Sequence, residues 1–208
     1  MTDFEKLWSD LEERSRRWAI PIVQNYQELE YVFNLIKDSE CESYLEVGTA
    51  EGNSLYVLAQ ALKKKPGIFI HFNEADEEMG STTRPLVQVC EIVDFGETHT
   101  KKPREEVISI LRGQDICITE NYGNSHNTEA KYGEYDIVLI DAGHSYEDVI
   151  ADARAFGHLA NKYIIFHDIQ LPPVKAAFDW YCKQNPQFKV SSFINSESFG
   201  YGILEVNK

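Results

Sequence analysis

Residues 135–168 read YDIVLIDAGHSYEDVIADARAFGHLANKYIIFHD, and this stretch decides the fold class. An apolar run at 135–141 is followed by a segment with helical spacing at 145–159 and by a second apolar run at 161–168. Short apolar runs predict buried strands, and a helix between two of them predicts that they lie parallel in one sheet. Both runs end in an aspartate, which raises the question of whether the strand ends carry chemistry.

The same alternation of strands and helices extends to both sides of this unit. Further strands are predicted at 43–48, 86–95 and 115–119, and further helices at 53–65, 104–113 and 172–184. The last two apolar runs, 190–195 and 201–206, predict a closing antiparallel pair. We therefore predict an α/β fold with a Rossmann-like, doubly wound, mostly parallel sheet that is closed by an antiparallel strand.

Two segments do not belong to this alternation. Residues 1–42 contain two stretches of helical spacing and predict an N-terminal helical cap on a main domain formed by residues 43–208. Residues 66–85 read PGIFIHFNEADEEMGSTTRP and predict an insertion, either an extra strand or an acidic flap. The length of 208 residues fits one domain overall.

Composition and charge argue against several classes of function. The chain carries 34 acidic and 20 basic residues, a net charge of −14, which disfavours binding to nucleic acid. No apolar run reaches the roughly 20 residues of a membrane helix, and the N-terminus lacks the features of a signal peptide. The four cysteines form no CxxC pair, which predicts reduced thiols. We expect a cytoplasmic protein that acts on a small molecule and not at a membrane; a homo-oligomer stays open.

The first candidate site follows the first strand of the main domain. Ligands of parallel α/β sheets bind beyond the carboxyl ends of the strands, and this strand runs into EVGTAEG at residues 46–52. Gly48 and Gly52 permit a tight turn and a close approach of a ligand to main-chain N–H groups. The dinucleotide fingerprint GxGxxG is absent, since position 50 is alanine. A tight turn that binds no ligand is the alternative.

The second candidate is the acid that closes the next main strand. Asp94 stands where a carboxylate can accept hydrogen bonds from both ribose hydroxyls of a nucleoside. Glu74 and Asp76 compete for the same role. We favour Asp94, because its strand leads directly into the helix predicted at 104–113.

Taken together, IDAGHSYEDVIADARAF and YIIFHDI resemble one subgroup of class I S-adenosylmethionine (SAM)-dependent methyltransferases, the macrocin O-methyltransferase and cephalosporin hydroxylase-like proteins. The matching residues are Asp141, His144, Tyr146, Val149, Asp152, His167 and Asp168. EVGTAEG resembles motif I of these methyltransferases. GNSHN at 123–127 resembles their GDSH stretch, with Asn124 in place of the acid.

The resemblance implies a SAM-dependent methyltransferase that moves a methyl group to a hydroxyl of a small molecule, such as a sugar or a natural product. His144 would be the general base, and Asp141 would be the second catalytic residue. The implied cofactor-binding residues are Glu46, Gly48, Thr49, Gly52, Ser54, Asp94, Asn124, Ser125 and Asp141. Within this set Asp94 would hold the ribose, and Asn124 and Ser125 would lie near the adenine.

The resemblance also implies a divalent metal ion, Mg²⁺ or Mn²⁺, held by Asp141, His167 and Asp168. Metal-binding relatives often carry two adjacent acids where this chain has His167 and Asp168. Histidine is a poorer Mg²⁺ ligand than a carboxylate, so weak metal binding, a preference for Mn²⁺-like ions and the absence of a metal are all open.

Two other functions stay open at this point. One is a SAM- or nucleotide-binding protein, or a scaffold, that uses the same fold without catalysis. The other is a metal-dependent hydrolase on this fold. The chain contains neither GxSxG nor GxxxxGK[ST], so a serine hydrolase and a P-loop NTPase are unsupported.

Overall fold

A computed structural model of the chain describes residues 1–63, 86–91, 101–114, 116–122, 134–195 and 198–206. The helices are α1 (Asp3–Trp18), α2 (Tyr26–Asp38), α3 (Asn53–Leu58), α4 (Lys101–Gly113), α5 (Tyr146–Phe156) and α6 (Pro172–Gln184). The strands are β1 (Ser43–Val47), β2 (Leu86–Glu91), β3 (Cys117–Tyr122), β4 (Tyr135–Ile140), β5 (Ala160–Phe166), β6 (Lys189–Phe193) and β7 (Tyr201–Glu205). Each of α3 and α5 continues into a single 3-10 turn.

The strands form one seven-stranded sheet in the order β3-β2-β1-β4-β5-β7-β6. Strands β1 to β5 pair in parallel, whereas β7 pairs antiparallel with both of its neighbours. The predicted fold class, a Rossmann-like and mostly parallel sheet closed by an antiparallel strand, is confirmed. The reversed strand β7 lies inside the sheet, and β6 forms its edge.

Side chains of the strands alternate between two buried cores, one on each face of the sheet. In β4, Ile137 and Leu139 belong to the core under α1 to α4, whereas Val138 and Ile140 belong to the core under α5 and α6. Burial on both faces explains why the strands read as continuous apolar runs. It also leaves the strand ends as the places where polar side chains gather.

The N-terminal helices pack on the face of the sheet that also carries α3 and α4. Thr2 and Glu5 form a capping box at the start of α1. Phe4 and Leu11 of α1 join Leu29 and Phe33 of α2 in the core on that face. The division of the chain at residue 42 stays a prediction.

Several predicted boundaries were wrong. The helix predicted at 53–65 ends at Leu58, and its continuation leaves the helical conformation at Leu62 because Lys63 N bonds to the Cys41 carbonyl at 2.6 Å. The strand predicted at 115–119 runs from Cys117 to Tyr122, since it pairs with β2 along its whole length. The helix predicted at 104–113 begins at Lys101, with Pro103 tolerated in its first turn.

The predicted insertion at 66–85 lies outside the described residues. Among the helices that the structure describes, none is both long and apolar enough to cross a bilayer.

Candidate active site

The loop after β1, residues 48–52, contains two glycines with positive φ, and we call it the glycine loop. Gly48 has φ of +93° and Gly52 has φ of +81°, a main-chain conformation that residues with a Cβ rarely adopt. A Cβ on Gly48 would clash with the main-chain carbonyl of Asp141 and the Cα of Ala142. Gly48 therefore allows this loop to lie directly against the end of β4.

Glu46 and Ser54 connect the two ends of the loop beneath its surface. Glu46 is 0% exposed, and its Oε1 accepts a hydrogen bond from Ser54 Oγ at 2.5 Å. Thr49 is also buried, and its hydroxyl finds no hydrogen-bond partner among the described residues. The carboxylate thus stabilises the turn from β1 into α3 from inside.

Four polar side chains lie together where β4 and β5 end, and we call them the acid–histidine cluster: Asp141, His144, His167 and Asp168. The main-chain N–H of Asp141 donates to Val47 O at 2.8 Å, and that of His167 donates to Ile140 O at 3.1 Å, so the ends of β1, β4 and β5 lie side by side. His167 Nδ1 lies 2.9 Å from Asp141 Oδ1 and 3.2 Å from Asp168 Oδ1. Asp168 Oδ2 in turn lies 2.7 Å from Nε2 of His144.

Asp168 itself has a strained main chain. Its φ of +59° is in the left-handed region, which a non-glycine residue adopts at a cost of ~1 kcal/mol or more. This conformation turns the chain after β5 and leaves the carboxylate within reach of both histidines. Strain of this kind is common at functional sites.

His144 and His167 differ in exposure and therefore in chemistry. The His144 side chain is 54% exposed, and its hydrogen bond to Asp168 raises its pKa against a smaller opposing effect of burial. His167 is 4% exposed. Burial works against its protonation, but the carboxylates of Asp141, Asp168 and Glu28 outweigh burial and raise the His167 pKa to about 9. The neighbouring carboxylates therefore favour the protonated form of His167 at neutral pH.

A second set of buried polar residues lies beneath this cluster, and sequence reasoning missed it. The Tyr201 ring lies 4.6 Å from the His167 ring, and Glu28 is 1% exposed. Glu28 Oε1 accepts a hydrogen bond from the main-chain N–H of Gly200. A signal existed, because Glu28 shares the apolar face of α2 with Val32 and Leu35 at helical spacing. An acid on an apolar face indicates a buried partner.

Some predicted site residues cannot be placed. Asp94, its rivals Glu74 and Asp76, and the proposed adenine neighbours Asn124 and Ser125 lie outside the described residues. The described part of the candidate site comprises Glu46, Gly48, Thr49, Gly52, Ser54, Asp141, His144, His167 and Asp168.

The cluster has the donor set of a metal site. Asp141, His167 and Asp168 each offer one ligand atom, and these atoms lie within 4.8 Å of one another. Nδ1 is the ring atom of His167 that faces both carboxylates. Two carboxylates and an imidazole fit a divalent transition metal such as Mn²⁺ better than Mg²⁺, which prefers oxygen ligands only.

The fold is shared with methyltransferases of known structure. An O-methyltransferase from Bacillus cereus in complex with S-adenosylhomocysteine (SAH) superimposes with a TM-score of 0.68 at 16% identity, covering 96% of this chain and 91% of that one. The O-methyltransferase TomG from Streptomyces achromogenes, in complex with SAM, gives 0.64 at 12% identity, with 97% and 90% covered. SAH-bound PaMTH1, a methyltransferase from Podospora anserina, gives 0.66 at 13% identity, with 100% and 89% covered.

At these identities the structural likeness establishes the fold. A search among curated proteins found no match. The sequence profile of a family described as "Methyltransferase domain" matches residues 45–169, which include the glycine loop, Asp141, both histidines and Asp168. This match spans more than half of the 208 residues, so the chain belongs to that family of methyltransferase domains.

Proposed function

We propose that the protein is a SAM-dependent O-methyltransferase that transfers a methyl group to a hydroxyl of a small molecule, such as a sugar or a natural product. The single observation that carries this proposal is the joint placement of the glycine loop and the acid–histidine cluster. Gly48 packs against the main chain of Asp141, so a cofactor over the loop borders the cluster. The subgroup, macrocin O-methyltransferase and cephalosporin hydroxylase-like proteins, is part of the proposal.

The cofactor proposal assigns Gly48, Thr49 and Gly52 to the loop that approaches SAM, with Glu46 and Ser54 as its internal support. A loop of this kind exposes main-chain N–H groups to a ligand because its glycines carry no Cβ. The complexes of the Bacillus cereus and Streptomyces achromogenes enzymes with SAH and SAM support this choice of cofactor. When bound, SAM supplies an electrophilic methyl group on a sulfonium. The ribose contact of Asp94 and the adenine contacts of Asn124 and Ser125 are proposed from sequence.

In the proposed reaction His144 takes the proton of the acceptor hydroxyl. Nε2 of His144 lies within hydrogen-bond distance of Asp168. When the neutral ring carries its proton on Nε2 and donates it to Asp168, Nδ1 has a free lone pair and can act as the base. Asp168 orients the ring and stabilises the imidazolium that forms. Asp141 forms a hydrogen bond with the neighbouring His167 and thereby holds its ring.

The metal proposal assigns Asp141, His167 and Asp168 as the ligands of one divalent ion, Mn²⁺ or Mg²⁺. When bound there by these three residues, such an ion would supply Lewis-acid polarisation of an acceptor hydroxyl. The position of their donor atoms within 4.8 Å of one another supports this assignment. His167 has to give up its proton to become a ligand, so metal binding at neutral pH is expected to release protons.

The remaining assignments follow from composition. We propose a cytoplasmic location, in agreement with the free thiols of Cys41, Cys117 and Cys182. The charge of −14 supports a small molecule and not nucleic acid as the partner. A homo-oligomer is compatible with this function.

The test of the proposed function separates cofactor binding from methyl transfer. SAH is expected to raise the melting temperature and to bind in calorimetry, and labelled SAM is expected to transfer its methyl group to at least one member of a panel of hydroxylated metabolites and glycans. His144→Ala should keep SAH binding and lose transfer. His158→Ala removes another exposed histidine, which follows α5 and lies outside the cluster, and should change neither. Absence of SAH binding at millimolar concentration contradicts the proposal.

Two further results would change the proposed function, one concerning catalysis and one concerning the metal ion. SAH binding without transfer to any acceptor would indicate a cofactor-binding protein without catalysis. For the metal, Mn²⁺ should raise the melting temperature, EDTA should reverse the rise, and Asp141→Asn should abolish it. An unchanged melting temperature with both Mn²⁺ and Mg²⁺ would remove the metal from the proposal.

A further inference from the structure

A buried arginine of α4 holds the glycine loop from its side. Arg104 is 6% exposed, and its Nη1 donates to the main-chain carbonyl of Ala50 at 3.0 Å. Ala50 is the central residue of the loop and has φ of +43°, in the left-handed region. A charged donor on this carbonyl opposes relaxation of the strained residue to an ordinary main-chain conformation.

The same helix contacts the loop at a second point. The side chain of Val107, one turn after Arg104, lies where a Cβ on Gly52 would come within 3.3 Å of it. Val107 is fully buried. The loop therefore rests on α4 at both Ala50 and Gly52, so a shift of α4 moves the loop.

The first turn of α4 is in turn tied to the N-terminal helix α1. Arg14 donates to the Pro103 carbonyl at 3.1 Å and to Glu106 at 3.2 Å. The Arg14 guanidinium also lies 5.1 Å from the centre of the Tyr56 ring in α3, the helix that begins where the loop ends. Arg14 therefore joins the two helices that flank the glycine loop.

We propose that Arg104 is a positioning residue for cofactor binding. Arg104 holds the Ala50 carbonyl and thereby the main-chain N–H groups of the glycine loop. Arg14 of α1 in turn holds the part of α4 that carries Arg104. This inference rests on the proposed function, because it assigns the glycine loop to SAM. Through its contacts with α4, the N-terminal helix α1 would then also affect the affinity for the cofactor. Arg104 acts through the loop and has no assigned contact with reacting atoms.

The chain offers a matched control for a purely structural role of Arg104. Arg112 lies near the other end of α4, and its Nη2 donates to the Ile118 carbonyl, also at 3.0 Å. Arg104→Gln and Arg112→Gln thus remove the same charge and a hydrogen bond of the same length from the same helix, although Arg104 is buried and Arg112 is exposed. The hydrogen bond that Arg104→Gln removes is to the glycine loop, whereas the one that Arg112→Gln removes is to β3.

The experiment measures SAH binding by calorimetry, together with the unfolding midpoint of each variant. Arg104→Gln is expected to weaken SAH binding about tenfold, since it removes a charged hydrogen bond to the loop. Arg112→Gln should bind within about twofold of the wild type. Arg104→Lys keeps the charge and one donor without the planar guanidinium, so it should recover only part of the affinity. In transfer assays Arg104→Gln should raise KM for SAM and leave kcat at saturating SAM close to that of the wild type.

The outcomes separate the inference from the function on which it rests. A wild-type protein that does not bind SAH overturns both. A wild-type protein that binds, with Arg104→Gln and Arg112→Gln weakened equally or not at all, overturns the positioning role alone. If Arg104→Gln does not fold, Arg104→Lys and Arg112→Lys are compared. Weaker SAH binding by the first than by the second then supports the role, and equal binding overturns it.

Discussion

At the scale of single residues, the pairing of His144 with Asp168 has a measurable consequence. The hydrogen bond to Asp168 raises the His144 pKa above its usual 6.5, and burial opposes this. Because the base must be neutral to accept a proton, turnover is expected to rise with pH through the raised pKa. In Asp168→Asn the carboxylate is lost, so the His144 pKa should fall.

The measurement is an NMR titration of the imidazole C–H resonances in EDTA, with His144→Asn used for assignment. A lower His144 pKa in Asp168→Asn than in the wild type is the expected result. The same pKa in both proteins would show that Asp168 does not set the charge of His144.

Two glycines give opposite expectations for the same substitution. In Gly48→Ala the new Cβ meets the main chain of Asp141 and Ala142, and φ is +93°, so we expect a loss of stability of at least ~2 kcal/mol and loss of SAH binding. Gly113→Ala, at the end of α4, has nothing within 4 Å of the new Cβ, and its unfolding midpoint should stay the same or rise. Chemical denaturation of both variants measures the difference. Equal stability of the two would contradict the tight packing at Gly48.

At the scale of elements, the Glu106 carboxylate is the side chain of α4 that binds several residues of α1 and its end. Glu106 accepts hydrogen bonds from Arg14 and Arg17 and from Trp18 Nε1, the last at 2.6 Å. The Arg14 side chain is only 8% exposed, so Glu106→Gln leaves a buried guanidinium without its countercharge. We expect a loss of about 1–3 kcal/mol in the free energy of unfolding and faster proteolysis within α1.

Glu105 provides the control for this substitution, because it is the exposed neighbour of Glu106 on the same helix. Glu105→Gln should change stability by less than ~0.5 kcal/mol. Chemical denaturation and limited proteolysis of the two variants test the prediction. A proteolysis rate in α1 that Glu106→Gln leaves unchanged would mean that the other contacts of this helix, such as those of Phe4, Leu11 and Arg14, hold it without Glu106.

The elements also show which local signals sequence reasoning could use. Helix α6 was predicted with its observed bounds, because Pro172 and Pro173 mark its start and apolar residues recur at helical spacing. The point at which the chain after α3 leaves the helical conformation, at Leu62, was not predictable, because the next residue, Lys63, bonds to Cys41, which lies 22 residues earlier. Helix ends that are fixed by tertiary contacts leave no local pattern.

At the scale of the whole molecule, the parallel sheet followed from the alternation of apolar runs with helices, and the predicted antiparallel pairing of the last two strands, β6 and β7, is confirmed. The order of the other strands did not follow, because the pairing of β7 with β5, for example, joins residues far apart in sequence. Likewise, the sequence indicated Asp141, His144, His167 and Asp168 as strand-end residues, and the resemblance grouped three of them as metal ligands. The direct contact of His167 Nδ1 with both carboxylates did not follow from sequence. The burial of Glu28 beneath them depends on the packing of α2.

The position of His167 also couples the stability of the whole molecule to pH. Its pKa is raised from 6.5 to about 9 in the folded protein; burial opposes this shift, and Asp141, Asp168 and Glu28 together cause it. A group whose folded pKa lies above its unfolded pKa stabilises the fold fully below the unfolded value, and this contribution is lost as pH rises through the folded value. The contribution of His167 should therefore be complete below 6.5, decline between 6.5 and about 9, and be absent at higher pH.

The test compares the wild type with His167→Gln in EDTA, where no metal competes for the cluster. From about pH 6 to about pH 9.5 the stability of the wild type relative to this variant should fall by on the order of 3 kcal/mol, because each unit of pKa shift corresponds to ~1.4 kcal/mol. Titrating groups that lie away from His167 affect both proteins alike and cancel in the difference. His158→Gln, which removes an exposed histidine, should run parallel to the wild type in guanidinium denaturation. If the His167→Gln curve also ran parallel, His167 would be neutral in the folded protein, and the two carboxylates beside it would require a countercharge from elsewhere, such as the proposed metal ion.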